Sequence, residues 1–399
     1  MNIKISIASV IFIIASLLIA ACYLLPQVQI FMRIQDLSLL SVLYFFAFSY
    51  RKIGMNSLQV LIWSIPFLLI YFFVSRNLDF KYGLLHPFML LWVCIFPAFM
   101  NKTIEERDSN FEKYSVLIGV VVMASLVIAN TITIMQFDPT IARTMTSGLA
   151  DEDYVLQMKR MGVGGFGISY SSGLLTLSSL LVYLNASTKY LKIGGLISLL
   201  FFLYMVINAQ FTTLIIITMI SVGLMLYMRH KSLWVILFVI LIFFIPAILQ
   251  KIIDFYGESS PVASHLSNLY NKISGEGIVE ESQRDIYRRE ILALIFHSPL
   301  WGYSIEGTYA YLFTHSHSTL LGYGLATGIV GVIFYITTFI KVFKYSISNF
   351  CHSPYNKFFL PMLVFYLLLS FFNPTNSPEI NFAFFLIVPL IYSCLINSK

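Results

Sequence analysis

"FTHSHSTLLGYGLATGIVGVIFY", residues 313–335, sets two histidines, His315 and His317, directly before an uninterrupted apolar run. About 20 apolar residues cross the hydrocarbon layer of a bilayer as a helix, and residues 317–340 meet that length. An ionisable side chain at the mouth of such a helix calls for a reason, because charge near hydrocarbon is costly to keep.

The same ruler marks twelve expected spans, near 5–25, 32–50, 57–75, 83–100, 114–135, 165–186, 193–209, 211–228, 233–250, 317–340, 357–373 and 380–396. Arg33 and Asp36 intrude on the second, and Ala209-Gln210 separates the seventh from the eighth. The first is read as a retained anchor rather than a signal peptide, because no small-x-small cleavage pattern follows it. Composition agrees: 58% of the 399 residues are hydrophobic and 11% charged, against about 25% charged in soluble domains. Net charge is +6, but the basic residues are scattered between apolar runs. That fits membrane topology and not nucleic acid, which calls for a basic stripe on a soluble domain. Cys22, Cys94, Cys351 and Cys394 show neither disulfide nor zinc spacing.

With the N-terminus inside, the short inner loops carry Arg51-Lys52, the 102–113 segment, Lys189 and Lys192, Arg229 and Lys231, then Lys341, Lys344 and Lys357. This is the positive-inside pattern, and both termini are then cytoplasmic. Two outer loops exceed plain connectors. One covers 136–164; the other, 251–316, is much the longer. Loops of that size on a rigid scaffold commonly carry function.

Within the larger loop, "SQRDIYRREILALIFHSPLWGY" (282–303) reads as an amphipathic helix over 283–298. Ser282 and Asp285 resemble a capping box, Ile286, Leu292, Ile295 and Phe296 recur at helical spacing, and Pro299 ends the run. The helix is too short and too charged to span. It is expected on the outer membrane surface or packed over the bundle. Arg284 and Arg288 share a face and repel unless an anion lies between them. Asp285 offers Arg289 a partner. All three arginines are equally at home solvating an interfacial helix.

For the histidines, a polar cap is the plainer reading. The aromatics Tyr309, Tyr311 and Phe313 before His317 argue for a partly dry pocket, in which an imidazole suits proton transfer near neutral pH. A metal pair at i,i+2 diverges on a helix, and nothing nearby completes a ligand set.

The order of these residues resembles a known family. Ser282-x-Arg284, a short amphipathic helix, His-Ser-Pro299-Leu-Trp-Gly302, a loop, then His317-Ser318-x-x-Leu321 with Gly328 and Gly331 behind it is similar to the signature of bacterial O-antigen polymerases and O-antigen ligases. The spacing selects His317 over His315. "KRMGVGGFGISYSSGLL" (159–175), a basic residue before a glycine-rich span entry, resembles the polymerase type. Many relatives carry a Ser-Arg pair where Ala209-Gln210 stands here, which favours polymerase over ligase.

The resemblance implies an all-α, GT-C-like bundle of about 12 transmembrane helices with a large periplasmic loop. It implies a metal-independent, inverting glycosyltransferase in the bacterial inner membrane, without a cofactor, working on the periplasmic side. Donor and acceptor are oligosaccharides on undecaprenyl diphosphate, and a flippase and chain-length regulator share the pathway. An already ionised diphosphate leaving group needs cations, for which Arg284, Arg288 and Arg160 are the candidates. His317 is the candidate base for the acceptor hydroxyl, or a donor to the diphosphate. A ligase acting on lipid A–core and a transporter or flippase are the competing readings. Gly328 and Gly331 are expected to let their helix approach a neighbour closely.

Overall fold

The structure, a computed structural model, describes residues 6–49, 54–74, 86–138, 141, 151–209, 211–229, scattered positions between 247 and 271, 283–303, 312, 318–347, 356–373, 375 and 377–396. Every regular element among them is helical. In chain order these are α1 (Ile7–Leu24), α2 (Ile34–Tyr44, continued by a π-helical turn Phe45–Ser49), α3 (Met55–Val74), α4 (His86–Glu105) and α5 (Asn110–Met135). Next come α6 (Glu152–Arg160), α7 (Phe166–Asn185), α8 (Lys189–Asn208), α9 (Thr212–Arg229), α10 (Gln283–His297) and α11 (Thr319–Ser346). The last are α12 (Phe359–Phe372), α13 (Pro378–Phe382, followed by a π-helical turn Ala383–Ile387) and α14 (Val388–Ile396).

Eight of the described helices are long and apolar enough to cross a membrane: α1, α3, α4, α5, α7, α8, α9 and α11. Three shorter apolar helices, Gln35–Ser49, Phe359–Phe372 and Pro378–Ser393, fall on three further expected spans. The expected span at 233–250 lies almost wholly outside the described residues. The intruding charges of the second span turn out to sit at its start. Arg33 precedes α2, and the Asp36 carboxylate accepts from the Arg33 backbone N–H at 2.8 Å. The break at Ala209 is real, since α8 ends there and α9 begins at Thr212.

The chain divides into two compact units, the first formed by 1–124, 281–351 and 370–397, the second by 125–280, 352–369 and the last two residues. In the first unit α4 is the central helix, 89% of its apolar window being buried. Aromatic side chains fill the space around it. Tyr23 stacks between Phe96 and Phe382, Phe45 meets Phe99, and Phe67 meets Tyr323 and Tyr335 of α11. Polar side chains join helices here by bonding to backbone carbonyls. Thr338 donates to Trp63, Asn101 to Ser346, and Ser346 to Phe385. Between spans in lipid, where apolar burial drives little, such bonds and close packing supply specificity.

In the second unit α7 is the buried helix, although it is rich in serine. Its hydroxyls turn inward on their own helix: Ser171, Thr176 and Ser178 each donate to the carbonyl four residues earlier. That satisfies them without a partner helix. Gly173 packs against Phe365 of α12 and Thr218 of α9, and Gly195 of α8 against the backbone of Tyr183.

The amphipathic helix is observed as α10, within one residue of its expected end. It packs along α11 instead of lying alone on a surface. Ile291 and Ile295 are buried with Leu312, Leu321 and Leu325. The apolar face is turned from the expected one. Ile291, not among the expected residues, is fully buried, Ile286 is not part of the cluster, and Phe296 is 76% exposed, because the seam along α11 is set by Ile291 and Ile295, one turn apart, and Phe296 stands about 100° further round the helix.

Exposed Gly194 in α8 has open space where a Cβ would stand, with nothing within 4 Å, so Gly194→Ala is expected to leave thermal stability unchanged or raise it by up to about 1 kcal/mol. Gly173→Leu, thrust against Phe365 and Thr218, should lower it by about 1–3 kcal/mol. Thermal unfolding of the two variants in the same detergent checks the contrast.

Candidate functional site

Residues 297–303 and the middle of α11 form one backbone construction. After α10 ends at His297 the chain turns, and Gly302 closes the turn with φ +69° and its N–H on the Ser298 carbonyl. Inside α11, Gly328 departs from helical geometry, with φ +64° and ψ −174°. In an unbroken helix the Ile329 N–H would donate to the Leu325 carbonyl. The break parts them, and the turn satisfies both. Ile329 N–H donates to Pro299 O at 2.8 Å, and Tyr303 N–H donates to Leu325 O at 2.7 Å.

The glycines make this fit possible. A Cβ on Gly302 would stand 2.5 Å from the Gly328 nitrogen, and one on Gly328 would stand 2.3 Å from the Leu300 oxygen. Both positions also need left-handed backbone, and the values at Gly328 are open to little but glycine. The expectation that Gly328 and Gly331 serve packing against a neighbouring helix is therefore corrected. Gly328 meets the 300–301 turn, and Gly331 makes room for the Thr327 side chain of its own helix.

Ser318 and Leu321 also gain defined roles. The Ser318 hydroxyl accepts from the Leu321 N–H at 3.1 Å and so caps α11, while donating to the Ser370 carbonyl at 3.1 Å. Leu321 belongs to the buried seam with α10. Beside this cap lies a polar cluster that the spans alone did not reveal. The Thr375 N–H donates to the Thr319 hydroxyl at 2.8 Å, the Ser370 and Thr375 hydroxyls are 2.8 Å apart, and the Asn381 amide donates to the carbonyls of Thr375 and Ser377. Glu379 is buried and accepts from Gln29 at 3.1 Å. The Asn373 amide nitrogen is buried and has no hydrogen-bond partner among the described residues. The sequence signal was "NPTNSPEIN" (373–381), dense in hydroxyl, amide and carboxyl groups, in what reads only as a short connector between apolar segments.

Arg288 is half-buried on α10, and its guanidinium donates to the Phe372 carbonyl and lies 5.8 Å from the Phe372 ring centre. It thus caps the end of α12, where free carbonyls favour a cation. Arg284 lies one turn earlier on the same helix, so the shared face holds; its side chain is outside the described residues. His315, His317 and Ser282 are outside them too, and in the chain His317 directly precedes the cap Ser318.

Arg160 belongs to the second unit. It is exposed in the last turn of α6, whose end is a Schellman motif. Gly162, with φ +78°, donates to Lys159 O, and Val163 donates to Met158 O. Asn130 and Thr131 of α5 then pin the glycine-rich entry, donating to Met161 O and accepting from Gly164 N–H. Tyr154 donates to Asp138 at 3.1 Å; burial and then that carboxylate push its phenol up from the ordinary range. Asn208, next to the Ala209-Gln210 position, is buried and accepts from Gln136 at 3.0 Å.

The first unit thus offers hydroxyls, amides and a carboxylate around the cap of α11, with an arginine-bearing helix packed along that same helix. Such groups suit sugar hydroxyls and an anion. The chain matches no protein-family model, and no curated protein matches it.

Gly302→Ala and Gly328→Ala should each cost at least about 2 kcal/mol, since backbone strain of about 1–3 kcal/mol is joined by a clash with main chain. Because the two glycines meet, the double variant should cost less than the sum of the singles. Thermal unfolding of the four proteins measures the coupling; strict additivity would mean the contact is absent.

Proposed function

We propose that the protein is a polymerase of lipid-linked polysaccharide repeat units. In this reading twelve spans form a GT-C-like scaffold in the bacterial inner membrane, with both termini cytoplasmic. The growing glycan passes from undecaprenyl diphosphate to the next lipid-linked unit on the periplasmic side, with inversion and without a metal. His317 takes the proton of the acceptor hydroxyl as it attacks the anomeric carbon, and Arg284 and Arg288 offset the charge of the departing diphosphate, with Arg160 of the second unit as the further cation candidate. Arg288 holds the end of α12 and so keeps the arginine face of α10 in place.

One observation carries the reading. Of the signature positions whose surroundings are described, Pro299, Gly302, Ser318, Leu321 and Gly328 all take part in how α11 is built and packed, while Gly331 makes room for Thr327 of its own helix. That structure leads directly into His317 along the chain. The polar cluster of Ser370, Asn373, Thr375 and Glu379 beside the cap has the chemistry to hold sugar hydroxyls.

In a strain whose polysaccharide depends on this gene, His317→Ala is expected to lower transfer by about 10²–10⁴-fold, the usual worth of a general base. Arg284→Ala should also collapse the ladder of chain lengths, while His315→Ala stays near wild type. Normal ladders in both the His317 and Arg284 variants, at normal protein levels, would sink the assignment. Single repeat units left on lipid A–core mark a lost polymerase, and bare core marks a lost ligase.

A further inference from the structure

The turn after α10 docks along a membrane-spanning helix, and its depth can be read from α11. Tyr345 bonds at 2.9 Å to Ser57, the first residue of the apolar span of α3, which sets the level of the inner boundary on α11. At 1.5 Å per residue, Gly328 stands about 25 Å above Tyr345. The hydrocarbon layer is about 30 Å thick, so Gly328 lies about 5 Å below its outer boundary. Thr319, where α11 begins, stands about 13 Å above Gly328 on the same rise. The residues bonded to this point, Pro299 and Tyr303, must share its level. The contacts give the direction. Ile295 abuts Gly324 and, one turn on, Pro299 meets Ile329, so the two helices run the same way side by side.

We infer that α10 and the turn 298–302 form a re-entrant element whose outer face, Phe296, Leu300 and Trp301, rests on the lipid chains of the outer leaflet. These three side chains are 76%, 58% and 57% exposed. On α11, Ile329, whose N–H bonds to Pro299, and Ile333 one turn further along are exposed as well. Helix α10 is graded to match. Its first half, QRDIYRRE, holds all of its acidic residues and arginines, and its second half, ILALIFH, is apolar up to the last residue. Non-helical backbone is tolerated at membrane depth only where its polar groups are tied to protein. Here Ser298 N–H bonds to Leu294 O, the Ser298 hydroxyl to Gly302 O, and the turn to both sides of the break in α11, while Pro299 has no N–H to satisfy. His297, about 100° from Phe296 on the helix, is the polar exception at this level and is exposed. A water-filled cavity around the turn would suit it better than lipid, and that is the outcome the test must separate. The inference rests on α11 spanning the membrane and not on the proposed activity.

The experiment uses the full chain in lipid nanodiscs with Trp63, Trp92 and Trp234 changed to Phe, leaving Trp301 as the sole tryptophan. Lipids brominated along the acyl chain are expected to quench its emission several-fold more than aqueous iodide does. Strong iodide quenching with weak bromolipid quenching would overturn the inference. Should the triple variant fail to fold, Leu300→Cys in the otherwise unchanged chain reads the same point. A charged maleimide should label it no more than the wild-type chain, while Asp151→Cys, at an exposed loop position, labels readily. Equal labelling of the two positions would overturn it.

Discussion

One hydrogen bond of α11 is opened at Gly328, and a turn from elsewhere in the chain is spliced into the gap. Much of the packing around α11 follows from that. A helix in lipid cannot leave a carbonyl and an N–H unsatisfied, so the break is tolerable only with the 299–303 turn in place. The turn cannot come close enough unless neither facing residue has a side chain, which fixes glycine at 302 and 328. With the turn anchored, α10 has to run along α11, and Ile291 and Ile295 fall against Leu321 and Leu325. Arg284 and Arg288 are thereby set on one side of a fixed helix rather than on a wandering loop.

The cap of α11 is tied to the same frame. Ser318 ends the helix and reaches the Ser370 carbonyl, while Thr319 accepts from Thr375. The beginning of α11 is therefore bound to the chain around Ser370–Asn381, far away in sequence. Glu379 and Asn373 enter the site through this tie. The first is buried against Gln29, and the second has a buried amide with no partner among the described residues. Arg288 gives one of its five N–H donors to the Phe372 carbonyl, which ties α10 to the end of α12.

Legibility differed residue by residue. The helix over 283–297 was visible because its apolar and charged residues keep helical spacing and a proline follows; its seam was misjudged at Phe296 because a lipid-facing side and a protein-facing side are equally apolar. Gly328 and Gly331 stood out by position, yet their tasks were hidden: both look like small residues for helix packing, and only the φ angle and the neighbouring atoms tell a helix break from room for Thr327. The 373–381 segment passed as a connector because its polar residues have no periodicity, and only folding brings them to the α11 cap.

The sequence by itself determined that this is a helical membrane protein and where most of its apolar helices run, since span length and hydropathy are local properties of the chain. The resemblance to a known signature drew attention to Pro299, Gly302, Ser318, Leu321 and Gly328. What only the tertiary structure decided is that Pro299, Gly302 and Gly328 meet in one joint partway along α11, while Ser318 caps that helix and Leu321 seals its seam with α10. Backbone groups find partners wherever the fold offers them, and a pairing between residue 299 and residue 329 leaves no mark in either stretch of sequence except the glycines that make room for it.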